Sequence, residues 1–164
     1  MDKALIERVL SDPDFAGALT GIPYAEFLGL RVVRRDGHLH AHLPFDDKVV
    51  GAPQRLHGGV TGAVLELAAM MQVLKEAAEA GRLPERLPKP IGMTVEYLRA
   101  GLAADLWASA EVTRQGRRVV NVRATAWQQE PGQPIAAGLM HFLMPEPGHL
   151  PQNGADGASS THPG

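Results

Sequence analysis

The chain has 164 residues, room for one compact domain with a buried core and not comfortably for two. Sixteen lysines and arginines against eighteen acids leave a formal net charge of -2, which argues against nucleic-acid binding by bulk charge. There is no cysteine, so a thiol nucleophile, a thiolate zinc site and a disulfide framework are excluded, and a reducing compartment suits the composition.

In chain order, residues 3–10 place Leu5, Ile6, Val9 and Leu10 at helical spacing, and Pro13 stops that short helix. Residues 1–8 carry the acids Asp2 and Glu7 and lack the h-region of a signal peptide, so a cytoplasmic domain is expected. Residues 21–30 are apolar and broken by Gly and Pro, a helical turn leading into a strand. Arg34-Arg35-Asp36-Gly37 is a hairpin signal, after which Leu39, Ala41 and Leu43 alternate with His38, His40 and His42. The second half predicts strand after strand. Ile91, Met93, Val95 and Tyr97 alternate, as do Leu106, Ala108, Ala110 and Val112, then Val120, Val122, Ala124 and Ala126, then Ala137, Leu139, His141 and Leu143. Short turns at Gln115-Gly116 and Glu130-Pro131-Gly132 make the later runs antiparallel neighbours, a meander. From Pro145 onward the chain is Pro, Gly, Ser and polar, and a disordered tail is expected.

One long helix separates the two groups of strands. Residues 56–74 carry Val60, Val64, Leu67, Met71 and Leu74 as a stripe, and the pattern runs on to a stop at Gly81. The other faces, with Gly59, Gly62, Ala63, Ala69 and Met70, are also small or apolar, so protein must surround the helix. A membrane span is rejected because the run holds His57, three glycines, Gln72 and a carboxylate at its middle. The architecture implied is one buried helix wrapped by a curved antiparallel sheet.

Glu66 is the one carboxylate between residues 56 and 74, on a helix with no polar face to display it. Burial without a cation raises the pKa of an acid, and such acids are enriched at functional sites. Pairing with a distant arginine or capping a buried backbone group is the structural alternative. His57-Gly58-Gly59 opens the same helix, where glycines allow close approach and free N–H groups suit an oxyanion. A tight strand-to-helix turn accounts for the glycines equally well. Gly58 and Glu66 are eight residues apart, about 12 Å along a helix axis. One carbonyl cannot touch both within a chain, but it can if two chains pair about a twofold axis and share the site.

These residues resemble a family. His57-Gly58-Gly59, an acid nine residues after the histidine and four downstream strands are similar to the hotdog-fold acyl-CoA thioesterases. The nearest type is the phenylacetate-pathway and 4-hydroxybenzoyl-CoA (Glu-type) subfamily. The resemblance spans residues 22–144 and includes Ile22-Pro23 with Leu28-Gly29-Leu30, Tyr97-Leu98-Arg99, and Gln115-Gly116-Arg117-Arg118. It implies an α+β hotdog fold and hydrolysis of acyl-CoA thioesters by a homodimer or a dimer of dimers. Gly58 N–H would polarise the thioester carbonyl, and Glu66 of the partner chain would attack it or activate a water. His57 takes an assisting role, and no metal or cofactor is implied beyond the coenzyme A of the substrate. Gly59 lies where the substrate approaches the backbone. Arg117 and Arg118 fall near the nucleotide end of coenzyme A, where guanidinium suits phosphate, or are solvated turn residues.

The chain also departs from the family. The position six before the histidine, often Asn or Gln, is Gly51, with Gln54 the nearest amide and a substitute for it. The position one turn after the acid, often a hydroxyl, is Met70, which reads as core filler or as the wall of an adaptable acyl pocket. His38, His40 and His42 have the spacing of a metal site but no interleaved acid, and read as a solvated strand face. His141 reads as an inward-facing core residue. None of the four serines, Ser11, Ser109, Ser159 and Ser160, sits in a Gly-x-Ser-x-Gly turn.

The organisation expected is an N-terminal helical extension at 1–20, a hotdog domain at 21–145 and a disordered tail at 146–164. The leading function is acyl-CoA thioester hydrolysis, with acyl-CoA the substrate and neither nucleic acid nor membrane a partner. The competitors are a non-catalytic acyl-CoA binding module on the same fold and a hotdog-fold acyl-thioester dehydratase or hydratase. A catalytic His ahead of a Gly-Pro turn, usual in the last class, is poorly matched by His57-Gly58-Gly59.

Overall fold

The computed structural model describes residues 3–145. The elements are α1 (Lys3–Ser11), β1 (Ala16–Ala18), α2 (Pro23–Leu28), β2 (Arg31–Arg35), β3 (His38–Leu43), β4 (Val50–Ala52) and β5 (Arg55–Leu56). They continue with α3 (Gly58–Glu79), β6 (Lys89–Tyr97), β7 (Leu106–Gln115), β8 (Val119–Trp127) and β9 (Ala136–Leu143). Seven strands form one antiparallel sheet in the order β1-β2-β3-β7-β8-β9-β6, and β4 and β5 form a small separate hairpin. This is the antiparallel sheet packed on a long helix that the resemblance implies.

The apolar residues decide how the layers meet. Leu39, Ala41 and Leu43 of β3, Leu106 and Ala108 of β7, and Val120, Val122, Ala124 and Ala126 of β8 are all buried. They face α3, whose Val60, Val64, Leu67, Met71 and Leu74 are buried in turn. The β2–β3 turn forms as expected, with Asp36 and Gly37 both at positive φ, the two-residue geometry that matches strand twist. Helix α3 ends at Glu79, and Gly81 follows in the left-handed conformation with its N–H on the Ala78 carbonyl.

The N-terminal segment does more than form a helix. Leu5, Ile6 and Val9 of α1 are buried, and the Arg34 guanidinium donates to the Val9 and Leu10 carbonyls at the end of that helix. Phe15 then leads into β1, which pairs with β2 as an edge strand of the main sheet. The expected disordered tail, 146–164, lies outside the described residues.

One strand expectation needs correction, and the structure also places a strand whose neighbour the sequence left open. The inward face of β9 is Ala136, Gly138, Met140 and Phe142, one residue out of phase with the expected set, so Leu139 and His141 point outward. Residues 135–140 are all apolar or glycine and carry no alternation, so cross-strand pairing sets the phase: Val120 opposite Phe142, Val122 opposite Met140. His141 is exposed, with Nδ1 2.9 Å from the Asn121 side-chain oxygen. Strand β6 does not neighbour β7; it pairs with β9 at the far edge of the sheet. Its apolar set is largely open, with Ile91 52%, Met93 47% and Tyr97 59% exposed.

The histidine face of β3 is also less solvated than expected. His42 stacks on Trp107 at 4.0 Å between centroids and pairs with Asp105 at 2.8 Å. His40 meets the edge of Trp127 and is half-buried, and that burial lowers its pKa from the ordinary value. Among the described residues no group of three or more His, Asp or Glu is arranged to hold a metal ion.

The β9 phase makes a direct prediction. Met140→Ala should destabilise the protein by about 2–5 kcal/mol in urea unfolding, the cost of truncating a buried large side chain. Leu139→Ala, on the open face, should cost about 1 kcal/mol or less; the reverse ranking would mean the strand is paired one residue out of register.

Candidate active site

The site is built on the first two turns of α3. His57 is the N-cap, in extended conformation, and its Nδ1 accepts the Gly59 N–H at 3.0 Å. The His57 carbonyl takes the N–H groups of Val60 at 3.0 Å and Thr61 at 3.2 Å. The imidazole therefore does what Ser or Asp usually does at a helix start. One N–H of the first turn, that of Gly58, has no acceptor among the described residues. An orphan donor at the positive end of a helix dipole is a seat for an anionic or carbonyl oxygen.

Neighbouring elements crowd this turn. The His57 N–H is anchored on the Val49 carbonyl at 2.9 Å. Tyr97, at the end of β6, donates its hydroxyl to the Gly58 carbonyl at 2.8 Å. A cleft of about 420 Å³ opens here, lined by Gly58, Thr61, Tyr97, Arg55, Arg99 and Ile135. Tyr97, Arg55 and Arg99 were not expected as site residues in these roles. Tyr97 was visible only as a strand-end motif, and nothing in the local pattern distinguishes Arg55 or Arg99 from solvated arginines.

Two turns further along α3, Glu66 is half-buried, and burial alone raises its carboxyl from the ordinary 4.5. No cation pairs with it among the described residues, which removes the structural alternative of an arginine partner. Gly59, Ala63 and Glu66 recur at i, i+4 and i+7, the side of α3 that protein covers least in this half of the helix. Met70 continues the same row one turn on but is buried in the core. The helix is thus not surrounded all round within one chain, and Glu66, the one acid of its first half, lies on the uncovered stripe.

The remaining expected residues lie apart. Gln54 is exposed at the tip of the β4–β5 hairpin at positive φ, its carbonyl accepting the Ala103 N–H at 3.1 Å. Arg117 and Arg118 are exposed in the β7–β8 turn. Arg118, with Arg86 and Lys89, lines a second cleft of about 370 Å³ at the start of β6. Tyr97 marks the other end of that strand, about 26 Å away at 3.3 Å per residue.

Residues 49–143, more than half of the chain, match the family described as the acyl-CoA thioesterase N-terminal domain. The chain belongs to this family. No curated protein sequence matches it. Among solved structures, a Shewanella oneidensis protein related to the thioesterase superfamily superposes with a TM-score of 0.71 at 25% identity, covering 87% of this chain and 96% of that one. A Chromobacterium violaceum protein superposes with a TM-score of 0.65 at 29% identity, covering 87% and 94%. A Bacillus halodurans protein solved with CoA shares the fold at a TM-score of 0.67 and 21% identity, covering 77% and 81%. The fold is the hotdog fold of thioesterases, and no helix among the described residues is long and apolar enough to cross a membrane.

The raised carboxyl of Glu66 has a consequence for stability. The folded protein holds that proton more tightly than the unfolded chain does. The Glu66 contribution is therefore fully present below pH 4.5 and lost as pH rises through the folded value. Glu66→Gln should match the wild type in urea midpoint below pH 4.5 and be the more stable protein at neutral pH. A difference that does not change with pH would show that Glu66 is not desolvated.

Proposed function

We propose that the protein is a homodimeric acyl-CoA thioesterase whose two active sites are each shared between chains. The observation that carries this reading is the pairing, on one helix, of a Gly58 N–H and a half-buried Glu66 that have no partner among the described residues and lie about 12 Å apart along it. The thioester carbonyl oxygen sits at the Gly58 N–H, which strengthens its hydrogen bond as charge develops on the oxygen. Glu66 of the partner chain either attacks the carbonyl carbon, expelling coenzyme A as thiolate and forming a mixed anhydride that water then hydrolyses, or takes a proton from the attacking water and returns it to the departing sulfur. Its raised affinity for a proton suits the second role, and coenzyme A leaves as the thiol.

The open edge supports the dimer. Strand β6 has unpaired backbone along one side, and its Ile91, Met93 and Tyr97 are largely exposed, a combination that invites a second strand. Antiparallel pairing of β6 with its twofold copy brings the Lys89 end of one chain beside the Tyr97 end of the other. The partner's Arg118, together with that chain's Arg86 and Lys89, then stands near the Gly58 cleft as a basic seat for the phosphates of coenzyme A. CoA was bound in the Bacillus halodurans neighbour, which agrees with that ligand class.

The competing reading, a non-catalytic acyl-CoA binder, draws on Gly51 and Met70, which supply no amide or hydroxyl beside the acid. Free-thiol release from a panel of aryl- and alkyl-CoA thioesters separates the two, and the protein adds no thiol of its own. Glu66→Gln should keep the dimer and lower turnover by at least ~100-fold. Binding of coenzyme A with no release from any thioester would favour the binder.

Gly58→Pro removes the oxyanion donor at a position whose backbone accepts proline, its Cβ coming to 3.4 Å from the Tyr97 ring. Proline is accepted at the first helical position, and His57 at φ -68 and ψ 129 already has the conformation that precedes proline. Its turnover should fall by about 10²–10³. Mixing the Gly58→Pro and Glu66→Gln chains should restore about a quarter of wild-type activity, because half the dimers are mixed and each holds one intact shared site. A mixture as inactive as its components would place both groups in one chain.

A further inference from the structure

We propose that His57 meets the substrate as a neutral Nε2–H donor beside the Gly58 N–H, and that Tyr97 and Gly51 are the positioning residues that hold it there. The catalytic part of this proposal rests on the thioesterase reading; the tautomer rests on hydrogen bonding alone. A backbone N–H can only donate, so the Nδ1 atom that contacts the Gly59 N–H at 3.0 Å carries a lone pair. The proton of the neutral ring is then on Nε2.

The same peptide unit continues to a second hydrogen bond. The Gly58 carbonyl and the Gly59 N–H belong to one amide, and that carbonyl accepts the Tyr97 hydroxyl at 2.8 Å. Donation to the oxygen polarises the amide and makes its N–H a stronger donor to the ring. Tyr97 therefore acts on the imidazole through a single peptide, without touching the ring.

Two glycines fix the plane and direction of the ring. A side-chain carbon at Gly51 would stand 2.7 Å from His57 Cα and 2.9 Å from Cδ2, and one at Gly59 would stand 3.0 Å from Cε1 and Nδ1. The imidazole thus fills a slot that exists only because both positions lack a side chain. Flipping the ring would replace Nδ1 by a carbon and lose the Gly59 bond. No described residue is hydrogen-bonded to Nε2. Two N–H groups on consecutive residues are left for a ligand at the start of α3.

Position 51 carries no amide, and with the backbone as it stands a side-chain carbon there would run into His57. The imidazole N–H is the donor this chain offers instead. His57 on this view is a catalytic residue, the second neutral donor to the thioester oxygen.

The test joins nitrogen NMR to a double-mutant cycle, both on the full chain. In the wild type at alkaline pH, 15N spectra should show His57 with a pyridine-type Nδ1 and a protonated Nε2, and Tyr97→Phe should shift the ring towards a mixture of tautomers. Tyr97→Phe should lower kcat about 5- to 10-fold, the size of one lost hydrogen bond, with KM little changed. In a His57→Ala background the same substitution should cost less than about 2-fold, because the ring it positions is gone. A protonated Nδ1 in the wild type, or an undiminished Tyr97→Phe effect without His57, overturns the proposal. A protein with the expected tautomer and no turnover of any thioester would instead overturn the thioesterase reading and with it the catalytic role.

Discussion

The stretch of α3 from Gly58 to Leu74 has no polar face and cannot stand in water, and the rest of this fold is the covering that it requires. Strands β3, β7, β8 and β9 supply that covering on one side, and α1 closes part of another. What they leave open is the stripe through Gly59, Ala63 and Glu66. The carboxylate is thereby half-desolvated with no cation paired to it among the described residues, the condition that favours its protonated form. Placing an acid there costs stability, which fits a role outside packing.

The start of the same helix meets a different constraint, the need to satisfy its first N–H groups. His57 satisfies three of them, with its ring on Gly59 and its carbonyl on Val60 and Thr61. The Gly58 donor is left over, at the mouth of a cleft. The close fit of the ring between Gly51 and Gly59 makes those two positions a matter of sterics rather than flexibility. Tyr97 ties the turn to the end of β6, so the geometry of the cap depends on an edge strand remote in sequence.

That edge strand links the fold to the proposed function. Within one chain β6 carries the cleft of Gly58 at one end and the basic cleft of Arg86, Lys89 and Arg118 at the other. A twofold pairing along β6 is the simplest arrangement that brings opposite ends together. It would also cover the apolar residues that the isolated chain leaves in water, and set Glu66 of one helix towards Gly58 of the next.

Much of this was legible in the residues. The helical run, its opening at His57-Gly58-Gly59, the one acid between residues 56 and 74 and the eight-residue gap to Gly58 follow from local periodicity and the fixed rise of a helix, which need no tertiary information, whereas the His57 cap does not. The β2–β3 hairpin was equally readable, because Asp36-Gly37 suits few other backbones. The phase of β9 was not, since a continuous apolar run carries no alternation and only pairing with β8 chooses its inward face. Nor was the place of β6, because adjacency in sequence does not dictate adjacency in a sheet. The partnership of Tyr97 with Gly58 and the grouping of Arg118 with Arg86 and Lys89 join residues about thirty to forty positions apart. Such contacts arise only when the packed sheet brings its strand ends to the helix, whereas the lone carboxylate on an apolar helix was decided by the sequence itself.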